Sequence, residues 1–282
     1  MQPTNRLLIR LPLTLPLLLL VAAVLAACAP AASPARGPVG EQVQRGIETG
    51  SEEFDHSRFD ALLSASVRDG LVDYAVFQQR RAELDEYLAT LAAADLASLE
   101  RDHLMALLLN AYNAYTIASI LDHWGVSSIR EIDGVWDRAT HDVGGNQVTL
   151  DTLEHNLLRP YFQDPRIHVA VNCASMSCAP LPTWAFDGDQ LEQQLEQWTH
   201  AFFADPRYLT REGEALRVSK LLDWYGEDFT AEGWRPRAET LAGFIQRYAP
   251  AEIAAWLEER RSSGDEVEIR FFDYDWSLNQ AP

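Results

Sequence analysis

The chain has 282 residues with 42 acidic and 23 basic side chains, which gives a formal net charge of −19. Hydrophobic residues make up 47% and charged residues 23%, a globular composition that excludes a disordered or fibrous chain. Nucleic-acid binding needs a basic face, so we expect no nucleic-acid partner.

The N-terminus has the pattern of a secretory signal. Residues 1–10 contain two arginines and no acidic residue, and residues 11–27 are an apolar run rich in Leu and Ala. The run ends in Leu-Ala-Ala before Cys28, which resembles the bacterial lipobox. We therefore expect a signal peptide over 1–27 and lipidation, as with palmitate, at Cys28. A plain transmembrane anchor and an ordinary signal peptide are the alternatives.

The expected destination is the outer membrane, with the globular domain facing the periplasm. The residue after Cys28 is Ala29 rather than Asp, which by resemblance to the usual sorting pattern disfavours retention at the inner membrane. Residues 28–50 are rich in Ala, Pro and Gly and predict a flexible tether. Residues 51–282 predict one globular domain.

Apolar spacing in that domain predicts mostly helices. We expect an α+β fold, a mostly helical single domain with a small sheet. By analogy of roles, we expect a papain- or transglutaminase-like arrangement. The predicted helices cover 55–66, 81–94, 102–124, 150–162, 187–203, 218–229 and 237–261, and the predicted strands cover 166–172 and 266–272.

The longest predicted helix carries polar residues in an otherwise apolar stretch. Asn110 and Asn113 are three residues apart and so share a face, and His103 lies on the same stripe. One interpretation is structural, since buried amides must find hydrogen-bond partners. The other is that one amide faces a pocket and orients a catalytic group.

The second candidate site surrounds two cysteines. Cys173 follows the predicted strand, and small residues after it leave room around the thiol. A thiol in such a place can be a nucleophile. Cys173 and Cys178 could instead form a disulfide, be inert buried thiols, or bind metal; their spacing matches neither a strong zinc motif nor a C-x-x-C motif.

A nucleophilic cysteine needs a base, and three histidines are candidates. His155 lies on the helix that leads into the predicted strand. His168 is five residues before Cys173, and along a strand this odd offset puts the two side chains on opposite faces. His141 is a weaker candidate. His155 is therefore the preferred base, although a lone histidine is more often structural.

Five blocks of the chain together resemble the DUF547 family, a family of unknown function, from about residue 54 to residue 279. The blocks contain Asn110-Ala-Tyr112-Asn113, Glu154-His155, His168-Val-Ala-Val-Asn172-Cys173, Trp224-Tyr225 and Tyr274-Asp275-Trp276. The resemblance implies that Cys173, His155, Asn110 and Asn113 fall on recurring positions. It also implies that Cys178 does not, which disfavours a disulfide. Fusions of family members to glutaredoxin-like modules imply thiol-related chemistry.

These observations lead to a ranked set of hypotheses. The first is a cell-envelope lipoprotein with a cysteine-dependent hydrolase or acyltransferase-like site acting on an unknown small-molecule or peptide substrate, without a cofactor. The catalytic candidates are Cys173 as nucleophile, His155 as base, and Asn110 or Asn113 as orienter or oxyanion donor; the substrate-binding candidates are Tyr112, Arg159, Trp224 and Tyr225. One alternative is a non-catalytic outer-membrane scaffold with a Cys173–Cys178 disulfide. The other is a metal site of His155, His168 and Cys173.

Overall fold

The structure, a computed structural model, describes residues 33–35 and 37–282. The predicted signal peptide over 1–27 and Cys28 lie outside these residues. The described helices are α1 (Pro38–Thr49), α2 (Ser57–Ser66), α3 (Tyr74–Gln79), α4 (Arg81–Ala93), α5 (Arg101–Asp122), α6 (Arg159–Phe162), α7 (Ile167–Ala170), α8 (Leu191–Ala204), α9 (Leu221–Trp224), α10 (Leu241–Tyr248) and α11 (Ala251–Ser263). Thr152–Leu158 is a π-helix, and Ile129–Glu131, Gly188–Gln190 and Gly226–Phe229 are 3₁₀ turns.

Short strands form three separate sheets. The strands are β1 (Val67–Arg68), β2 (Leu71–Val72), β3 (His141–Val143), β4 (Asn146–Val148), β5 (Leu209–Glu212), β6 (Ala215–Val218) and β7 (Glu268–Phe271). The pairs β1–β2 and β3–β4 are antiparallel hairpins. In the third sheet β6 lies between β5, which is antiparallel to it, and β7, which is parallel. The predicted mostly helical α+β domain is confirmed.

Helix α5 is the centre of the larger core. Every residue from His103 to Leu121 is buried, because apolar side chains occupy nearly all sides of the helix. It contacts α1, α3, α4, α8 and the π-helix. By length and composition α5 would also span a bilayer, but its apolar stretch is wholly buried inside the domain, as in the core helix of a folded domain.

A second core lies between the C-terminal helices and the three-stranded sheet. Its largest buried side chains are Phe202, Phe203, Phe229, Phe244 and Tyr248. Aromatic pairs link them, such as Phe229 with Phe244 at 4.8 Å between ring centroids. This core holds α9 and the turn after it against the rest of the domain, and those elements carry part of the site described below.

The prediction of a flexible tether over 28–50 is wrong for its second half. Residues 38–49 form α1, which begins with Pro38 in the first turn and buries Val39 and Val43. Proline is well suited to that position because the first N–H groups of a helix have no partner within it. The buried valines, four residues apart, give α1 one apolar face against the larger core.

The strand predicted over 166–172 is also wrong. The chain there forms the short helix α7, whose four residues are all buried. A continuous apolar run cannot distinguish a buried strand from a buried helical turn. The deciding signal is Asp164, whose carboxylate accepts the N–H of Arg166 at 2.9 Å and so starts a helical turn, with Pro165 between them.

Two predicted helices are divided. The helix predicted over 218–229 is replaced by the end of β6, α9 and a 3₁₀ turn. The helix predicted over 237–261 is α10 and α11, separated at Pro250, which starts the second helix rather than continuing the first. The predictions for α2, α4 and α5 are confirmed to within a few residues.

Candidate active site

The turn that carries His155 is the π-helix, which runs directly into α6. Pro160, in the first turn of α6, has no N–H and cannot donate to the carbonyl of Asn156 four residues earlier. The N–H of Ala35 donates to that carbonyl instead, at 2.9 Å. A residue outside the helix therefore stabilises the π-turn. Such turns are frequent at functional sites.

Asn113 fixes the segment that leads to Cys173. Its Nδ2 donates to the carbonyl of Ala170 at 3.0 Å, and its Oδ1 accepts the N–H of Asn172 at 2.7 Å. The end of α7 and the residue just before the cysteine are therefore both held by one side chain from the central helix. This gives Asn113 a positioning function for the thiol.

Asn110 makes the same kind of contact with a different segment. Its Nδ2 donates to the carbonyl of Phe186 at 2.7 Å, and its Oδ1 accepts the N–H of Phe186 at 3.0 Å. Phe186 lies in the connection between the Cys173 loop and α8. The geometry therefore favours the structural interpretation of Asn110.

The side chain of Asn172 closes a tight loop around Cys173. Its Nδ2 donates to the carbonyl of Ala179 at 2.6 Å, and its Oδ1 accepts the N–H of Ala174 at 2.9 Å. Ala174 has φ of 59°, in the left-handed region that is uncommon for residues other than glycine. Such strain concentrates at functional sites, where surrounding contacts hold it in place.

The C-terminal segment brings a tyrosine to the thiol. The N–H of Asn279 donates to the carbonyl of Ala174 at 3.1 Å, which fastens this segment to the loop. The hydroxyl of Tyr274 lies 3.3 Å from Sγ of Cys173 and 2.7 Å from Oγ of Ser175. Ser175 is itself 3.3 Å from the same sulfur, so two hydroxyls face the thiol.

Hydrogen bonds lower the pKa of Cys173 to about 7. The largest contribution comes from Cys178, and Ser175 and Tyr274 add to it, while burial and the charge of Glu154 act in the opposite direction. Burial raises the pKa values of Cys178 and Tyr274 well above their usual range, so both stay protonated beside Cys173. At neutral pH about half of Cys173 is then thiolate, the nucleophilic form.

A cavity of about 250 Å³ opens beside Cys173. Its wall consists largely of aromatic side chains from distant parts of the chain: Tyr112, Trp136, Trp224, Tyr225, Tyr274 and Trp276. The ionisable side chains on the wall, besides the thiols and tyrosines, are Asp151, Glu154, His155 and His168. A concave, mostly apolar site with a few convergent polar groups is the usual form of a ligand site.

A buried ion pair contacts the residues of the cavity wall. Nε and Nη2 of Arg159 donate to the two carboxylate oxygens of Asp228, at 2.7 and 3.0 Å. Nε2 of His168 is 2.7 Å from the same carboxylate. Burial raises the pKa of Asp228, but the hydrogen bonds from His168 and Arg159 outweigh it and leave the pKa below its usual value. Burial lowers the pKa of His168, so a neutral imidazole meets an ionised carboxylate.

Glu154 lies on the other side of His168. Burial and the nearby Glu154 raise the pKa of Tyr225, whose ring stacks on His168 with 3.9 Å between centroids. Oε1 of Glu154 is 3.9 Å from Nδ1 of His168, and this buried nitrogen has no hydrogen-bond partner among the described residues. Because Nε2 carries the ring proton, a lone pair on Nδ1 faces a carboxylate oxygen, and an N–H donor would stabilise both.

The tautomer of His155 follows from its neighbour. Nη1 of Arg159 is 3.2 Å from Nδ1 of His155, and a guanidinium only donates, so Nδ1 accepts and Nε2 carries the proton. Nε2 lies 3.9 Å from the carboxylate of Asp151. Within residues 33–35 and 37–282 no hydrogen bond joins His155 to Cys173. In this tautomer His155 is a donor rather than a base.

The cavity brings together several residues that the sequence singled out. Cys173 and His155 line it together with Tyr112, Trp224 and Tyr225. His168 lines it too, because the helical turn of α7 removes the strand geometry on which its exclusion depended. Arg159, a substrate-binding candidate, pairs instead with Asp228. His141 stacks on Tyr115, at 4.4 Å between centroids, and is not part of the cavity wall.

The disulfide alternative differs from the structure, in which Cys173 and Cys178 are free thiols. The N–H of Cys173 donates to Sγ of Cys178 at 3.0 Å. Cys178 is thus a hydrogen-bond partner of the nucleophile candidate.

The metal alternative is not supported either. A metal site needs at least three His, Cys, Asp or Glu side chains with their ligand atoms close together. In the described part of the chain one group meets this condition, with all ligand atoms within 4.8 Å of one another: Glu53, His103 and Asp189. His155, His168 and Cys173 form no such group. Nδ1 of His103 accepts the N–H of Phe54 at 3.3 Å, so its Nε2 carries a proton and faces Asp189 without a free lone pair.

Sequence reasoning missed four participants in the site. Tyr274 and Glu154 appear in the sequence analysis only within the blocks of the resemblance, Ser175 only as one of the small residues after Cys173, and Asp228 not at all. The available signal was that each lies inside one of the five blocks that carry the family resemblance, or within three residues after one. Spacing alone could not show that these blocks converge on one cavity.

The comparisons with known proteins agree with part of the resemblance. No curated protein and no solved structure matches the chain. A family model described as "Protein of unknown function, DUF547" matches residues 96–203, a range that contains Asn113, His155 and Cys173 but not Tyr225 or Tyr274. The match over residues 96–203 therefore supports the DUF547 family.

Proposed function

We propose that Cys173 is the nucleophile of an acyl-transfer reaction in the adjoining cavity. The observation that carries the proposal is a thiol of lowered pKa, about 7, on the wall of an aromatic cavity. Inert buried cysteines have raised pKa values, as Cys178 does. The hydroxyls of Ser175 and Tyr274, each 3.3 Å from the sulfur, favour the thiolate, and Cys173 is only partly buried.

The reaction has two steps. The thiolate attacks the carbonyl carbon of the substrate, an S–C bond forms, and the leaving group departs with the electron pair of its bond to carbon. Water, or a second acceptor, then attacks the acyl-cysteine. The thiolate of Cys173 leaves with the electron pair of the S–C bond, and the proton of the acceptor passes through solvent to the leaving group released in the first step. Water as the second reactant makes the protein a hydrolase, and another acceptor makes it a transferase.

The surroundings of the sulfur favour thioesters over amides as substrates. An amine leaving group must be protonated before it departs, whereas a thiolate can leave without an acid. The groups that hydrogen-bond Cys173 are two hydroxyls and a thiol, and the pKa values of Tyr274 and Cys178 are raised. None is a good acid at neutral pH. We therefore propose a thioester, rather than an amide, as the substrate.

The remaining candidates take supporting functions in this proposal. Tyr274 holds the thiolate, and Asn113 positions its loop. His155 donates a hydrogen bond from Nε2 towards the carbonyl oxygen of the substrate, as a neutral imidazole can. The aromatic side chains of Tyr112, Trp224 and Tyr225 contact the bound substrate; Arg159 acts through Asp228 and Tyr225 rather than on a substrate carboxylate.

We also propose that the protein is an outer-membrane lipoprotein anchored through lipid at Cys28, with its domain in the periplasm. The support is the N-terminal sequence alone: a basic start, an apolar run and Leu-Ala-Ala before the cysteine. Mass spectrometry of the protein extracted from membranes with detergent tests it. A diacylated N-terminal Cys28 supports the proposal, and an intact or differently cleaved N-terminus contradicts it.

Acylation of the full chain by S-benzyl thioacetate tests the catalytic proposal. We expect one acetyl group on Cys173, seen by intact mass and peptide mapping, and release of benzyl thiol. The Cys173→Ala variant should remain unlabelled, and N-benzylacetamide should give no adduct. Absence of both the adduct at Cys173 and the release of benzyl thiol, or equal adduct on the Cys173→Ala variant, would contradict a nucleophilic function and leave a non-catalytic binding role.

A further inference from the structure

We propose that the cavity beside Cys173 recognises an organic ammonium group, so that the substrate is an acyl compound with a cationic amine. The inference rests on the proposed function for the position of the acyl group. The binding of the cation itself depends only on the walls of the cavity. The chemistry of those walls distinguishes an ammonium from an anion or a neutral group.

The first argument is the aromatic wall. Trp276 lies 4.4 Å from Tyr274 and 6.0 Å from both Trp136 and Trp224, measured between ring centroids. Trp224 is 4.7 Å from Tyr274. Several ring faces and edges thus converge at one end of a small cavity. Aromatic faces carry partial negative charge and attract cations, most strongly tryptophan, and such cages are a recurring way to bind alkylated ammonium groups.

The second argument is the charge of the cavity. Two carboxylates, Asp151 and Glu154, contribute to its wall, and among the described residues no lysine or arginine does. Two guanidinium groups lie against rings of the wall: Arg159, which pairs with Asp228, is 5.1 Å from the ring of Tyr225, and Arg130 is 5.3 Å from the ring of Trp276. Glu154 is buried, and burial raises the pKa of the partly exposed Asp151. A cation in the cavity stabilises the ionised form of both carboxyl groups, whereas an anionic substrate adds negative charge beside them.

The third argument is the pair of facing acceptors. Nδ1 of His168 is buried without a partner, 3.9 Å from Oε1 of Glu154. Both residues belong to the cavity wall. Buried acceptors that face each other are stabilised by positive charge or an N–H donor nearby. This feature is independent of the aromatic cage and favours the same class of ligand.

The size of the cavity limits the ligand. About 250 Å³ is below the roughly 300–1,000 Å³ typical of sites for drug-sized molecules. The cavity therefore fits a compact head group with a short chain, rather than a long peptide. An ammonium between the rings and the carboxylates would leave the acyl carbon of such a molecule on the Cys173 side.

A matched pair of small molecules tests cation binding without any acyl-transfer reaction. Choline carries a quaternary ammonium, and dimethylbutanol is its neutral isostere with carbon in place of nitrogen. We expect choline to change the tryptophan fluorescence of the full chain with millimolar affinity and to slow alkylation of Cys173. We expect the isostere to bind about tenfold more weakly. Equal affinity for the two, or no binding of choline, would overturn the inference.

Two variants distinguish choline binding in the cavity from attraction of choline by the overall negative charge of the protein. Asp151→Asn should weaken choline binding about fivefold. Glu252→Gln removes one negative charge from the exposed side of α11 and should leave binding unchanged. An equal effect of both changes would mean non-specific attraction and would overturn the inference.

The two proposals fail in different ways. Rapid alkylation of Cys173 without discrimination between choline and its isostere would leave the nucleophile and reject the ammonium site. Discrimination between the two ligands with an unreactive Cys173 would reject the acyl-transfer function and retain a cation-binding cavity.

Discussion

The hydroxyl of Tyr274 lies 3.3 Å from the sulfur of Cys173, although 101 positions separate the two residues in the chain. The contact depends on backbone hydrogen bonds between the C-terminal segment and the loop after Cys173, such as that from Asn279 to Ala174. The last residues of the domain therefore belong to the site. Truncation of this segment would remove one wall of the cavity together with a donor to the thiol.

Replacement of Tyr274 by phenylalanine tests that contact. The Tyr274→Phe change removes one hydrogen bond to the thiolate, so the pKa of Cys173 should move up towards its usual value. Alkylation by iodoacetamide at pH 6.5 should become about fivefold slower. Tyr161→Phe, which removes a hydroxyl far from the thiol, should react like the unmodified protein. A pH profile that does not change in Tyr274→Phe would contradict the contact.

Cys178 should affect Cys173 more than either hydroxyl does, because it contributes most to the lowered pKa. In the Cys178→Ala variant, Cys173 should still react. The pH at which its alkylation rate is half-maximal should be higher than in the Tyr274→Phe variant. Cys178→Ser restores a donor and should recover part of the loss. An unchanged or faster reaction of Cys178→Ala at pH 6.5 would show that Cys178 does not stabilise the thiolate.

Asn110 and Asn113 offer a comparison within one helix. Each makes two buried hydrogen bonds with backbone, so Asn110→Ala and Asn113→Ala should each lower the free energy of unfolding by about 1–3 kcal/mol. Only Asn113 contacts the segment that carries Cys173, and only Asn113→Ala should slow its alkylation under native conditions. Chemical denaturation and thiol labelling measure the two effects separately. Equal labelling rates in the two variants would remove the positioning function from Asn113.

His56 should make stability depend on pH. Burial, with a smaller effect of the charge of His103, lowers its pKa to about 3 in the folded protein, against about 6.5 in an unfolded chain. Between these values the unfolded state binds the extra proton, so stability is complete above about pH 6.5 and decreases as the pH falls. From pH 7 to pH 5 the loss from this group is about 2 kcal/mol.

The variant His56→Gln keeps a hydrogen-bond partner for Tyr87, which His56 contacts at 2.8 Å. Its free energy of unfolding should fall less steeply between pH 7 and pH 5 than that of the unmodified protein. Urea denaturation at the two pH values measures the difference. Parallel pH dependences would mean that His56 is protonated in the folded state as readily as in the unfolded state.

The central helix and several members of the cavity are predictable from the sequence because their signals are local. The apolar residues around Asn110 predict a long buried helix, and α5 is that helix. Tyr112, His155 and Cys173 were selected from separate motifs, and the fold brings all three to one cavity. Local patterns of spacing and residue type are enough for such elements.

The rest depends on long-range contacts and on short turns. The residues of α7, three apolar ones and His168, fit a strand as well as a helix, and only the turn that starts at Asp164 decides between them. The tautomer of His155 depends on Arg159, one turn along the same helical segment, whose orientation depends in turn on Asp228. No spacing rule relates position 159 to position 228, so neither the tautomer nor the function of His155 follows from sequence.

The most direct test of the nucleophile is the pH dependence of iodoacetamide alkylation of the folded full chain, followed residue by residue by mass spectrometry. The account predicts one rapidly modified residue, Cys173, with a half-maximal rate near pH 7. At pH 7 about half of such a thiol is thiolate, against about 3% for an ordinary cysteine. A half-maximal rate at pH 8.5 or above, or modification of Cys173 only after unfolding, would contradict the account.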